Sequence, residues 1–266
     1  MFEFSLIPGG GNAIVTALMS QPDANRGLIW ERYLPTLSQG ANNSKSAVEA
    51  ALGKFVKLES KDERLGERRK RFERALTAMG HAGNGMVPIT LRMRVAWRLA
   101  CGLGSAHPTN NGFSFDPVTG SPYLPGSSVK GMCRQWAHWK EWDVQKINRL
   151  FGPEHLEGEE GGAQGQTTFF DAFPETTVTL HMDIVNCHHM DYNIGNVEEP
   201  LETDNPNPAF FLSMMNKAVF LFTVLVHGTA DADDIKDLLK GALMNLGIGA
   251  KTAAGYGVFT EGERHG

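Results

Sequence analysis

Three stretches of this chain combine residue types that do chemistry. The first is GIGAKTAAGYG, Gly247 to Gly257, in which four glycines, among them Gly249 and Gly255, surround Lys251 and Thr252 and flank Tyr256. Glycines let a backbone approach a phosphate closely, the lysine adds a point charge, and the tyrosine ring offers a base a stacking face. The second is PGSSVKG, Pro125 to Gly131, with Arg134 one turn further on. A helix opening at Ser127, directly after Gly126, presents unpaired N–H groups and the positive end of its dipole. Ser127 and Ser128 are capping residue types and Lys130 adds charge, so the turn through Gly131 reads as an anion site. The plainer alternatives are that PGSS only caps a helix and that Tyr256 is a core residue. The third stretch holds Asp183, Cys187, His188, His189 and Asp191. Metal sites usually join ligands from two separated pairs, and adjacent His188 and His189 on an extended chain point opposite ways. Loop packing or RNA contact through His188 suits the cluster better, so no metal and no other cofactor is expected.

Counting excludes two nucleotide motifs. A Walker loop needs glycines immediately before the lysine and five residues earlier, where this chain has Ala250 and Asn245. The dinucleotide fingerprint needs a third glycine where Thr252 stands, and needs the glycines to open a helix rather than follow one. Two charged loops suit a polynucleotide backbone better than one triphosphate.

These loops need elements to hold them. The 266 residues, 41% hydrophobic, are enough for one large domain or one domain with an accessory part. The longest apolar run, AVFLFTVLV at 218 to 226, is far short of the roughly 20 residues that span a bilayer. The start MFEFSLIPGGG lacks a basic leader segment, so a cytoplasmic protein without membrane association is expected. Cys101, Cys133 and Cys187 are an odd number with no C-x-x-C pair and read as reduced core residues. The net charge of -5 hides an asymmetry, because residues 26 to 98 carry 15 Lys and Arg against 7 Asp and Glu, and residues 99 to 266 carry 10 against 21. Screening confines each field to about 8–10 Å, so an acidic chain with a basic segment still binds nucleic acid there.

Residues 1–85 read as a helical N-terminal region packed on a main domain, 86–266. The helix through KDERLGERRKRFERALTAMG buries Leu65, Phe72, Leu76 and Met79, ends at Gly80, and sets Lys61, Arg64, Arg68 and Arg71 along one side. That side is either a solvated face with paired acids or a surface for RNA or a partner. From Val87 to Leu99 apolar residues alternate with others that include Arg92, Arg94 and Arg98, which predicts one long strand with an apolar face, Trp97 included, and a basic face able to carry phosphates. A helix from Ser127, short strands around QTTFFDAF and TVTLHMDIV, a loop from 186 to 208, a strand in KAVFLFTVLVHG, a helix in DADDIKDLLKGALMNL and a final strand in GYGVFTE follow. This order predicts an α+β fold, a ferredoxin-like (RRM-like) antiparallel sheet with both helices on one face and the other face free, a helical N-terminal extension and loop insertions.

PGSS-x-KG and G-x-G-x-K-[TS]-x-x-G-Y-G together resemble the RAMP superfamily of CRISPR proteins. More narrowly, NRGLIWERYL, FFDAFP, DIVNCHHMDY and NPNPAFFL look like the sixth-subunit family of the Cmr, type III-B, effector complex. The resemblance spans most of the chain. It implies a non-catalytic subunit in antiviral defence that binds the guide RNA near its 3′ end, with target RNA and other Cmr subunits as partners. RAMP enzymes that process RNA use a histidine to assist attack by a 2′-hydroxyl. The alternative it implies is therefore a metal-independent endoribonuclease with His107 as general base.

Overall fold

The computed structural model describes residues 20–21, 24–33, 45–58, 63–81, 85–107, 109–153, 163–187, 192, 194–199, 207–215 and 217–262. In chain order, a short helical segment (Arg26–Leu28) runs into a π turn (Ile29–Tyr33). It is followed by α1 (Lys45–Phe55), α2 (Glu63–His81), β1 (Met86–Val95), β2 (Arg98–Leu99), α3 (Gly126–Trp139) and α4 (Val144–Phe151). Then come β3 (Thr167–Phe169), β4 (Phe173–Pro174), β5 (Leu180–Cys187), β6 (Asn207–Met215), β7 (Val219–His227), α5 (Ala232–Asn245) and β8 (Phe259–Glu261).

The strong alternation in β1 pairs it along its length with β7, from Met86 opposite His227 to Arg94 opposite Val219. β8 takes the other edge of β1, and β3 and β4 take the other edge of β7, so the larger sheet is antiparallel in the order β3/β4, β7, β1, β8. The register brings Ile89 beside Val224 and Met93 beside Phe220 on one face. Val129, Cys133 and Ala137 of α3 and Ile235, Leu239 and Ala242 of α5 belong to the same buried cluster. Removing such side chains from water at about 25 cal/mol per Å² is the main force that seats the helices. Trp30, Leu52 and Phe55 belong to that cluster as well, so the N-terminal helical segments share one core with the sheets. This is a mixed α+β fold.

The structure departs from the sequence reading in several places. The predicted single strand over 87–99 breaks at Ala96 and Trp97, because the next hydrogen bonds go elsewhere: Gly257 N donates to Arg98 O and Ala250 N to Ala100 O. β2 therefore joins a second, three-stranded sheet in the order β2, β6, β5. The strand expected around TVTLHMDIV lies in that second sheet as β5, paired throughout with β6, a strand whose apolar run NPAFFLSMM lacks alternation and was not foreseen. α4 was also not foreseen; it is short and capped by Asp143, which accepts from Lys146 N. Finally, the face of the larger sheet opposite α3 and α5 is not free. α2 crosses it, with Phe72 edge-on to Phe170 at 5.1 Å and Arg69 donating to the Glu175 carbonyl. In α2 itself Leu65 and Leu76 are buried, but Met79 is exposed, and Gly80 lies inside the helix rather than ending it.

Candidate nucleic-acid interface

The glycine-rich loop joins α5 to β8 and closes on itself. Ile248 N donates to Gly257 O at 2.9 Å, while Ala250 N and Gly257 N bind the chain beside β2, each at 2.7 Å. Gly257 has φ 72°, and a Cβ there would overlap the Ile248 carbonyl oxygen; Gly249 has φ 99°, and its Cβ would overlap the Ala100 carbonyl oxygen. Those two glycines are required by the loop's own backbone packing, whereas Gly255 is exposed with open space around it. Lys251 is itself left-handed at φ 59°, directly before the 3₁₀ turn Thr252–Ala254. Its Nζ stands 5.1 Å from the centre of the Phe211 ring, a distance at which a cation is attracted to the π face. The loop thus fixes a half-exposed ammonium.

The stacking role expected of Tyr256 is corrected. The residue is 9% exposed, its ring packs against Trp97 at 5.0 Å and Phe211 at 5.9 Å, and its hydroxyl donates to Asp183 Oδ2 at 3.0 Å. Asp183 also accepts from Ser213 Oγ at 2.7 Å and forms an ion pair with Arg98. His181 Nδ1 lies 3.1 Å from an Arg98 nitrogen, and burial followed by the Arg98 charge pushes the His181 pKa down. This network fixes the floor under the glycine-rich loop. It also engages Asp183, the first residue of the Asp183–Asp191 stretch.

The PGSS turn is corrected as well. Ser127 and Ser128 are exposed, and no side chain at Pro125 caps the helix. Instead Gly126 N donates to Asp171 Oδ1 at 2.8 Å, and a Cβ on Gly126 would overlap the Phe169 carbonyl oxygen. A carboxylate at a helix start is favourable for the helix dipole and repels a second anion, so the chain's own Asp171 holds the place expected for phosphate. Arg134 is similarly engaged, donating to Asn148 Oδ1 at 3.2 Å and to the Gly152 carbonyl at 2.9 Å, which ties α3 to the end of α4. Lys130 and Arg134 line a cleft with Gly152 and Gly165, while Gly131 is exposed. The turn is anchored on the β3–β4 edge of the larger sheet, and the glycine-rich loop beside the smaller sheet.

The structure brings Arg64, Arg68, Arg71 and Arg92 around one cleft of about 1130 Å³ between α2 and the larger sheet, floored by Phe72, Phe170 and Phe173. Several of these cations have work inside the fold. Arg92 makes two bonds to Glu175, at 2.8 and 2.6 Å, and Arg68 stands 3.5 Å from buried Asp116 with its guanidinium 4.0 Å from the centre of the Phe173 ring. The basic strand face is therefore largely paired; Arg94 beside it is half-buried.

His107 is held on both sides. Its ring stacks on Trp30 at 4.1 Å with a 2° interplanar angle, Nε2 lies 3.0 Å from the Trp30 carbonyl, and Nδ1 lies 2.8 Å from the Thr109 hydroxyl. A carbonyl only accepts, so Nε2 carries the proton; Nδ1 accepts from the Thr109 backbone N–H at 3.3 Å, while the Thr109 hydroxyl donates to the Asn111 carbonyl at 3.1 Å. Burial pushes its pKa down, partly offset by the Trp30 carbonyl and Glu31. Burial likewise pushes the Cys101 thiol up to about 12, and Cys133 is raised in the same direction, so both are packed thiols rather than nucleophiles. Lys61, His188, His189 and Asp191 lie outside the described residues. Among the described residues no three His, Cys, Asp or Glu are grouped to hold a metal, and no helix is long and apolar enough to cross a membrane.

Trp97 is the site residue that alternation concealed. It was placed with the apolar face, yet it is 50% exposed at the break between the two sheets, beside Tyr256 and Arg98. Nothing in the residue types of the Ala96–Trp97 junction marks a change of sheet.

An α+β protein with antiparallel sheets, two main helices on one face and a lysine-bearing glycine loop before the last strand is the class this geometry defines. The family model of the RAMP superfamily matches residues 79–260, and the chain belongs to that superfamily. It is similar, at 30% identity over 173 residues, to the CRISPR system CMR subunit Cmr6 of Saccharolobus solfataricus; the match covers 64% of this chain and 55% of that protein, little more than half its length. It is also 25% identical to the Cmr6 subunit of Pyrococcus furiosus over 295 aligned positions, covering 86% of this chain and 84% of that one. In fold it resembles a chain of the type III-B Cmr-beta assembly bound to cognate target RNA, with a TM-score of 0.62 and 18% identity over 98% of this chain and 93% of that one.

Proposed function

We propose that this chain is a non-catalytic, RNA-binding subunit of a type III-B Cmr effector complex. In this reading it works in the cytoplasm and holds the guide RNA near its 3′ end beside other Cmr subunits and the target RNA. The observation that carries the reading is Lys251, a cation fixed on a loop whose backbone is closed by its own glycines and bonded to the sheet on both sides. A preplaced charge attracts a phosphate without the entropy cost of ordering a mobile side chain. The similarity to subunits named Cmr6 over most of the chain supports the same class. The larger sheet is read as ferredoxin-like: its order, with β1–α3–β3/β4 and β7–α5–β8 as the two strand–helix–strand units, supports this.

The non-catalytic part is supported by His107. A general base needs a ring nitrogen free to reach the 2′-hydroxyl proton, and here one nitrogen donates to the Trp30 carbonyl and the other accepts from the Thr109 backbone N–H. Binding of single-stranded RNA by the full chain should fall with salt at a log–log slope of about -0.7 per phosphate neutralised. Lys251→Ala should remove about one contact from that slope, and Lys130→Ala a smaller share. Incubated repeat RNA should remain intact with the wild type. Unchanged affinity and slope in both variants would overturn phosphate binding by the two loops, and a single cut that His107→Ala abolishes would replace the binding subunit with an endoribonuclease.

A further inference from the structure

We infer that Trp97 is a stacking platform for one unpaired base of the bound RNA, standing at the end of an aromatic row that Lys251 closes with a cation. This deepens the RNA-binding reading and rests on it. Trp97, Tyr256 and Phe211 follow one another with ring centres 5.0 and 5.9 Å apart, and the Lys251 ammonium lies 5.1 Å beyond, over Phe211. Tyr256 and Phe211 are buried, so of the three rings only the indole offers surface, and half of it faces solvent.

A tryptophan left half in water gives up apolar burial that a fold otherwise uses; single exposed apolar side chains are common, and what marks this one is its place at the open end of an aromatic row that ends in a lysine. The position explains how it is held out. Val95 pairs with Phe259 in the larger sheet and Arg98 with Met215 in the smaller, so Trp97 occupies the step between two ladders, where it stays half exposed. Its support is rigid. The Tyr256 ring packs beneath it at 56°, anchored by the hydroxyl bond to Asp183. The Arg98 guanidinium stands 5.4 Å from its ring and is held by the same carboxylate.

The surroundings favour nucleic acid over a protein side chain as the occupant. Lys251 ends the row, Gly247 to Gly257 contain no acidic residue, and Asp183, the carboxylate within the row, is buried with its charge met by Arg98. A π face with adjacent cations binds a base on its flat side and the neighbouring phosphates by charge, whatever the sequence, because every base has a π face.

The test uses the full chain and a short single-stranded RNA, with affinity read by fluorescence anisotropy over a range of salt. Trp97→Ala should weaken binding roughly 5- to 150-fold, as loss of one aromatic stack does, without changing the salt slope. Trp97→Phe should retain most of the affinity. Trp97→Leu, which keeps apolar volume on Tyr256 without a π face, should behave as the alanine variant and carries the test if that variant does not fold. An RNA carrying 4-thiouridine should crosslink to the peptide that contains Trp97, and an abasic nucleotide at that position should make wild type and Trp97→Leu equal. If Trp97→Ala and Trp97→Leu bind like wild type while Lys251→Ala is weakened, the platform is wrong and the RNA-binding reading stands. If the wild type binds no RNA, both fall. If the variants keep RNA affinity but lose association with other effector subunits, Trp97 is a protein contact and the inference is overturned.

Discussion

The Tyr256 hydroxyl donates to Asp183 Oδ2 across 3.0 Å, linking the loop before β8 to a strand 73 residues earlier in the chain. One hydrogen bond thereby couples the glycine-rich loop to the smaller sheet, and the same carboxylate carries Arg98 and Ser213. Tyr256→Phe should cost about 1.5–3 kcal/mol, the usual range for a hydrogen bond to a charged group. Asp183→Ala strands the Arg98 charge as well and should cost more, about 3–5 kcal/mol. Urea unfolding of the two variants checks the order, and equal losses would mean that Arg98 finds another partner.

Two glycines of the predicted site should respond in opposite ways to alanine. Gly257 has a left-handed φ and no room for a Cβ beside the Ile248 carbonyl, so Gly257→Ala should destabilise by about 2 kcal/mol or more. Gly131 lies exposed in α3 with open space around it, and Gly131→Ala should stabilise by about 0.5–1 kcal/mol. Thermal melting should show midpoints displaced in opposite directions, by roughly 2–4 °C per kcal/mol for a chain of this size.

Acidification should destabilise the protein through the two imidazoles that are shifted among the described residues. His107 and His181 both sit below their ordinary value of 6.5, each chiefly through burial, with Arg98 adding to the effect on His181. In the unfolded chain they take up protons near pH 6.5 while the folded protein still resists protonation. Their contribution is therefore fully present above about 6.5 and is lost as pH falls through the lower folded values. Urea midpoints should drop between pH 7.5 and 5.5, and the drop should be smaller in His107→Gln. An equal drop in both proteins would show that His107 is not one of the groups responsible.

The cleft under α2 separates structural from exposed arginines. Arg68 pairs with buried Asp116 and covers Phe173, so Arg68→Ala should lower stability by about 1–2 kcal/mol. Arg71 is exposed, and Arg71→Glu should leave the melting midpoint nearly unchanged while weakening RNA retention or association with an acidic neighbour. Pull-down and melting measured on the same two variants check this, and loss of stability in Arg71→Glu would make that residue a structural partner.

Local pattern was enough for much of this molecule. The alternation of Ile89, Met93 and Val95, the helices α3 and α5, and the glycine-rich loop between α5 and β8 were all legible, because each depends on residues near in sequence. The two motifs also pointed to the RAMP superfamily, whose family model matches residues 79–260. The second sheet was not legible. β6 carries no period, and β2 is two residues cut from an otherwise continuous alternation, so only pairing with distant strands defines them. The same holds for the site. A serine pair before a helix looks like a cap wherever it occurs, yet Asp171, 45 residues away, takes the Gly126 N–H. Tyr256 and Trp97 exchange the roles their positions suggest: the tyrosine of the exposed-looking loop is buried on Asp183, and the tryptophan of the apolar face stands in solvent. Residue types and spacing determined which groups carry charge, aromatic surface and turn geometry. Which of them remain available to a ligand was decided by the tertiary structure, because burial and hydrogen bonding depend on partners that only folding brings within reach.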